Sequence, residues 1–202
     1  MLKVGLTGSI AVGKSFVLET FRELGCYVLD ADKTAREVVE HGSAGLRRVV
    51  AEFGEGVLTT DGKLDRKKLA AIVFNDEDKR QLLNSIVHPL VIERQNEWIE
   101  SVEPRDPKGI AIVDAALMIE SGGYRRFDKL IVVYCRPEIQ LERVMRRDSL
   151  TADEAARRIA AQMSQEEKKS YADLLIDTSE GFDETRRQTA EIYRRLRLLS
   201  ES

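Results

Sequence analysis

Gly8-Ser9-Ile10-Ala11-Val12-Gly13-Lys14-Ser15 decides how the rest of the chain is read. Its spacing, G-x-x-x-x-G-K-S, is that of a Walker A phosphate-binding loop. The glycines permit backbone conformations that turn successive N–H groups toward phosphate oxygens. Lys14 adds a point charge for the β- and γ-phosphates, and the Ser15 hydroxyl suits Mg²⁺. Both flanks agree with this reading. Leu2-Lys3-Val4-Gly5-Leu6 reads as a short buried strand, and Phe16 to Leu24 as an amphipathic helix stopping at Gly25. A strand, a loop and a helix N-terminus in that order aim the helix dipole at phosphate charge. The residues expected to hold a nucleotide are therefore Gly8, Ala11, Val12, Gly13, Lys14, Ser15 and Phe16.

Further strand-like runs follow at Tyr27 to Asp30, Ile110 to Asp114, Lys129 to Tyr134 and Leu174 to Asp177. Several are continuously apolar, as parallel strands covered on both faces are. Helical patterns separate them, which predicts an α/β fold with a parallel five-stranded sheet of the P-loop NTPase type, flanked by helices. The stretch between the second and third strands is too long for a simple crossover. It predicts helices over Arg36 to Glu40, ending at Gly42, and over Ala44 to Phe53. It also predicts helices over Arg66 to Phe74 and Glu77 to Ile86, capped by Asp65 and Asp76, and one from Pro89 through Trp98. After the fourth strand come a helix from Pro137 to Arg147 and two further starts, the capping box Thr151 to Glu154 and Ser164 to Glu167. A last helix, Asp183 to about Leu199, places Ile192, Leu196 and Leu199 toward the sheet.

With 202 residues, 43% of them hydrophobic, the chain can bury a real core. The formal charge of −3 offers no general field to recruit nucleic acid or an anionic membrane, so neither is expected as a partner. No apolar run reaches the roughly 20 residues of a membrane span, and no leader precedes the first strand, so a cytoplasmic location is expected. Cys26 and Cys135 read as small buried thiols, since two cysteines and two histidines at these spacings make no metal site.

Asp30 and Asp32 fall at the end of the second strand, and the carboxyl edge of an open α/β sheet is where ligands bind. A carboxylate there can orient or deprotonate a hydroxyl acceptor, while Asp32 is equally suited to cap the next helix. Asp114 closes an apolar strand as a metal-binding Walker B carboxylate does, and as turn-forming aspartates also do. Glu120 follows at the expected mouth of the pocket. Arg136, Arg143, Arg146, Arg147, Arg157 and Arg158 form a cluster in which Arg143 and Arg147 share a helix face. The cluster reads either as a lid that neutralises a moving phosphoryl group or as a solvated face paired with Glu142, Asp148 and Glu154. His88-Pro89, taken alone, reads as structural.

No guanine-reading N-K-x-D motif occurs, which argues against a GTPase. Two helical insertions, an acidic pair and an arginine-rich segment suit a small-molecule kinase. The order of the motifs then becomes specific. Gly5 to Ser15, Asp30-Ala31-Asp32, Phe53-Gly54 and Leu64-Asp65-Arg66 come first. Ile86 to Pro89, Leu117 to Gly122, Gln140 to Arg143 and Arg147-Asp148 follow, then Arg158-Ile159, Gln162, Ala172-Asp173 and Ile176-Asp177. Together they resemble the dephospho-CoA kinase family almost end to end.

The resemblance implies ATP-dependent phosphorylation of the ribose 3′-hydroxyl of dephospho-CoA, with ATP and Mg²⁺ required. It implies a nucleotide core over residues 1–31, 108–135 and 171–202, a helical CoA-binding part over 32–107 and a lid over 136–170. It implies Asp32, then Asp30, as the base. Lys14 and Arg143 act on the transferring group, and Arg143 and Arg147 clamp phosphates. Ser15 and Asp114 hold metal, while Asp32, Arg36, His88, Leu117 and Glu120 lie near the acceptor. Ser9, Ala11, Val12, Phe16, Ala116 and Thr178 depart from the usual family residues, and Thr178 replaces an asparagine whose contact to the nucleotide's heterocyclic base is therefore not carried over. Two alternatives stay open. One is another P-loop kinase of a nucleoside or small metabolite, and the other is a non-catalytic nucleotide switch. Oligomeric state is not read from the sequence.

Overall fold

A computed structural model of the chain describes residues 1–74 and 76–201. The elements in order are β1 (Leu2–Thr7), α1 (Lys14–Glu23), β2 (Tyr27–Asp30), α2 (Ala31–Glu37), α3 (Ala44–Phe53), α4 (Arg66–Phe74) and α5 (Glu77–Val102). There follow β3 (Ile110–Asp114), β4 (Lys129–Tyr134), α6 (Pro137–Asp148), α7 (Ala152–Ala160), α8 (Gln165–Lys169), β5 (Leu174–Asp177) and α9 (Gly181–Glu201). The chain forms two units, Met1–Leu29 with Val102–Ser202, and Asp30–Ser101.

The first unit is organised by a five-stranded parallel sheet in the order β2-β3-β1-β4-β5. The central strand β1 pairs Leu2 to Leu6 with Ile110 to Asp114 on one side, and Val4 to Thr7 with Lys129 to Val132 on the other. That register sets Asp114 opposite Leu6, where β1 is about to become the phosphate loop. Every residue of β3 is buried, which accounts for its unbroken apolar run. Val17 and Phe21 of α1 and Ile192 and Leu196 of α9 complete the core around Val4, Leu6, Ile112, Ile131 and Ile176. Each such side chain contributes about 1.5–3 kcal/mol by leaving water. Leu199, expected on the same face of α9, is 46% exposed, because the helix outruns the sheet it covers. Cys26 and Cys135 are buried and free, and burial pushes the Cys26 thiol up to about 12. Among the described residues, no helix is long and apolar enough to cross a membrane.

The second unit is helical, with a smaller cluster of Val39, Val49, Val57 and Leu69. Two expectations are corrected here. The helix after β2 runs over Ala31–Glu37 rather than from Arg36, and its cap is Asp30, whose Oδ1 accepts from Lys33 N at 2.9 Å. Asp32 therefore lies inside the first turn. The two helices expected around His88-Pro89 are one, since α5 continues through Pro89 for 26 residues. The proline deprives the Ser85 carbonyl of its helical donor, and such a defect costs about 3 kcal/mol. Apolar burial on both sides offsets it, with Leu83, Ile86 and Val87 packed on the unit's cluster before the proline and Ile99 buried after it. Asp65 and Asp76 cap α4 and α5 as expected, accepting from Lys68 N and Lys79 N, each at 3.0 Å.

Candidate active site

The phosphate loop leaves β1 at Thr7 and enters α1 at Lys14. Two of its glycines are required by geometry. A Cβ on Gly8 would stand 2.4 Å from the Val133 carbonyl oxygen, and Gly13 has φ +89°. Ala11 also has positive φ, 59°, in the left-handed region that disfavours a side chain. No side chain caps α1, so its first N–H groups are left to find an acceptor from a ligand. The loop from Gly8 to Ser15 lines a cleft of about 600 Å³, closed by Ala116, Arg143, Arg146, Arg147 and Gln162.

Lys14 Nζ donates to Asp114 Oδ1 at 2.8 Å, and both side chains are largely shielded from solvent. The register of β1 with β3 produces this pair, because it carries Asp114 to the root of the loop. Ser15 is exposed at the start of α1. Its hydroxyl and the Asp114 carboxylate are hard oxygen donors that suit a small divalent cation. Among the described residues, no cluster of three or more His, Cys, Asp or Glu side chains could hold a metal by itself. The donor set fits a cation completed by phosphate and water oxygens.

The arginines do not stand free as a group. Arg143 donates from both terminal nitrogens to Thr178, to its Oγ1 and to its carbonyl oxygen, each at 2.9 Å. Thr178 Oγ1 in turn donates to the Val12 carbonyl oxygen at 2.7 Å. Arg143 thus braces the phosphate loop through the turn after β5. Arg147 makes a fork with Asp148 at 2.8 and 2.9 Å, and its guanidinium holds the Asp148 carboxyl below the usual carboxylate range. Arg146, not singled out above Arg143 and Arg147 in the sequence, also faces the cleft. Phe16 turns its ring away from phosphate duty toward Phe182, with centroids 4.7 Å apart, and the Arg186 guanidinium lies over it.

Beyond the loop, Glu120 is engaged by Lys168, a fully buried lysine of α8 whose Nζ reaches Glu120 Oε1 at 2.7 Å and the Ala116 carbonyl at 3.1 Å. Leu117 is 54% exposed. In the second unit Asp30, Asp32, Arg36 and His88 are all exposed. Asp30 is occupied as the α2 cap, which leaves Asp32 as the member of the pair with an uncommitted carboxylate. Sequence reasoning missed Thr178 as a brace, Lys168 as a buried cation, and the glutamines around Ile10. Thr178 was visible only as an unusual residue, and a lysine in the run Gln165-Glu166-Glu167-Lys168-Lys169 carries no mark of burial.

A family model described as CoaE, dephospho-CoA kinase, matches residues 2–184. A curated dephospho-CoA kinase of Geobacillus kaustophilus is 45% identical over 193 residues, covering 96% of each chain. A crystal structure from Thermus thermophilus superposes with TM-score 0.82 at 30% identity, covering 95% of each chain. A dephospho-CoA kinase from Campylobacter jejuni gives TM-score 0.62 at 27% identity, covering 96% of each.

Proposed function

The chain belongs to the dephospho-CoA kinase family, and from that premise we infer that it transfers the terminal phosphoryl group of ATP to the ribose 3′-hydroxyl of dephospho-CoA, giving coenzyme A and ADP. The observation that carries the reading on this chain's own residues is the cleft of the phosphate loop, which Lys14, Arg143, Arg146 and Arg147 line together with the uncapped start of α1. Such an array stabilises negative charge spread over a transferring phosphoryl group. Bound Mg²⁺, held by Ser15 and Asp114 together with phosphate oxygens, would neutralise part of that charge.

The residues divide the work. Loop N–H groups orient the phosphates. Lys14, held beside Asp114, supplies its charge without a search for conformation. Residues 136–170 serve as a lid that holds Arg146 and Arg147 at the phosphate cleft and excludes water, which would otherwise take the phosphoryl group. Residues 32–107 bind the acceptor, with Arg36 and His88 among the groups that meet it, and 1–31, 108–135 and 171–202 form the nucleotide core. Leu117 and Glu120 border the acceptor, the carboxylate of Glu120 acting through its pair with Lys168. Asp32 accepts the hydroxyl proton, since its carboxylate carries no cap bond, whereas Asp30 Oδ1 is held by Lys33 N. No nucleic-acid or membrane partner enters the reaction, and the cytoplasm is its expected location.

The test compares two substitutions. Asp32→Asn lowers kcat by about 100- to 10,000-fold while ADP affinity, read by calorimetry, stays within twofold. Asp30→Asn keeps most of kcat. Near-normal turnover in Asp32→Asn, with Asp30→Asn inactive, would transfer the role to Asp30.

A further inference from the structure

Both backbone polar groups of a single loop residue, Ile10, are taken up by glutamine side chains from the helical segment between β4 and β5. Ile10 N–H donates to Gln162 Oε1 at 2.8 Å. The Ile10 carbonyl accepts from Gln140 Nε2 at 2.8 Å. Gln140 is 2% exposed, and its remaining oxygen accepts from Gln165 Nε2 at 2.8 Å. Gln165 Oε1 accepts from Cys135 N, just past the end of β4, at 2.9 Å. Two side-chain amides in series thus connect sheet backbone to loop backbone. Each amide uses one donor and one acceptor in a direction its neighbours fix, which a carboxylate or an apolar side chain could not reproduce. Beside them, Ser9 Oγ donates to the Met163 carbonyl at 3.4 Å.

We propose that Gln140 and Gln162 are positioning residues that grip Ile10 from both sides, one on each flanking peptide plane, and thereby set the phosphate loop for nucleotide. The N–H and the carbonyl lie on the two successive peptide planes that flank the Ile10 Cα, so each plane is held against rotation by its own bond. The residue after it, Ala11, is held at positive φ, a conformation an alanine leaves readily when nothing restrains its neighbours. Fixing Ile10 fixes the start of that strained turn, and with it the direction of the N–H groups from Ala11 to Ser15. Because Gln140 lies on α6, the helix that carries Arg143, Arg146 and Arg147 also helps dictate the loop's shape, joined by Gln162 just past α7. Loop and arginines therefore form one unit toward phosphate.

The inference rests on the cleft being the nucleotide phosphate site, so the experiment carries a control for that reading. In the full-length enzyme, ADP affinity with Mg²⁺ is measured by calorimetry, with steady-state constants for both substrates and the melting temperature. Gln162→Met keeps volume and removes the bond to Ile10 N–H. Its ADP Kd and ATP KM rise about five- to tenfold, as the loss of one good hydrogen bond in an oriented site implies, while the KM for dephospho-CoA is unchanged. Its Tm falls by less than about 4 °C, since Gln162 is only half-buried. Gln140→Met acts in the same direction and more strongly, because it strands the Ile10 carbonyl and the Gln165 amide together. Should that variant fail to fold, Gln162→Met decides alone. Lys14→Ala is the control. If it weakens ADP while Gln162→Met leaves ADP Kd within twofold of the parent, the grip is refuted and the site stands. If Lys14→Ala leaves ADP binding intact, the site reading itself fails.

Discussion

The loop wall and the helical unit from Asp30 to Ser101 are built on opposite plans. Around the loop, the side chains are committed before any ligand arrives, with Lys14 to Asp114, Arg143 to Thr178, Thr178 to Val12, and Gln140 and Gln162 to Ile10. Behind them lies a core of fully buried strand and helix residues. In the helical unit, Asp32, Arg36 and His88 project into solvent on helices that share a small apolar cluster. A triphosphate presents the same charge and geometry whatever is attached to it, so a rigid cradle loses nothing and avoids ordering costs on binding. On the proposed reading the acceptor is met by these exposed side chains, and ordering them lowers acceptor affinity.

The sharpest way to break the contrast is Lys14→Ala. Removing the Lys14 ammonium from the cradle lowers kcat/KM for ATP by about 100- to 1000-fold with no change in acceptor KM at saturating ATP. Equal losses for both substrates would mean that the two regions are not separable. Next is Lys168→Met, which leaves Glu120 and the Ala116 carbonyl without their buried donor. Glu120 keeps some solvent, so the loss is about 2–3 kcal/mol, below that of a fully buried pair, and thermal unfolding moves down by about 5–10 °C. An unchanged Tm would show that the commitment is ornamental. In the helical unit, Arg36→Ala raises the KM for dephospho-CoA about tenfold and leaves ADP Kd untouched, a pattern opposite to that of the loop variants. A shift in ADP Kd instead would place Arg36 in the nucleotide site. The smallest effect is expected of Ala11→Gly. Relief of left-handed strain and the added freedom of the unfolded chain nearly cancel, so stability by denaturant titration changes by less than about 1 kcal/mol. A larger loss would mean that the Ala11 methyl group contributes packing to the loop.

Much of this was legible in the residues because local chemistry dictated it. The five strands fall where their apolar runs end, and Asp65, Asp76, Thr151 and Ser164 cap the helices they announce. What escaped depended on partners distant in sequence. Whether Asp30 or Asp32 caps α2 turns on where the strand lets go, which both residues fit equally well on paper. Pro89 signals a helix start, yet burial on either side carries α5 through it. Arg143 looks like a mobile lid cation until the turn after β5 is seen to supply Thr178 as its partner. Gln140 and Gln162 have no charge, no periodic signature and no reactivity, so nothing short of the fold shows that they meet at one residue, Ile10.

The most direct test of the central claim is ADP release from ATP and Mg²⁺, measured with and without dephospho-CoA, with the product weighed by mass spectrometry. Strong stimulation by dephospho-CoA and a product heavier by one phosphate are expected, with Lys14→Ala and Asp32→Asn both failing to make it. ADP release indifferent to dephospho-CoA, with the acceptor recovered unmodified, would contradict the account and leave only the phosphate loop standing.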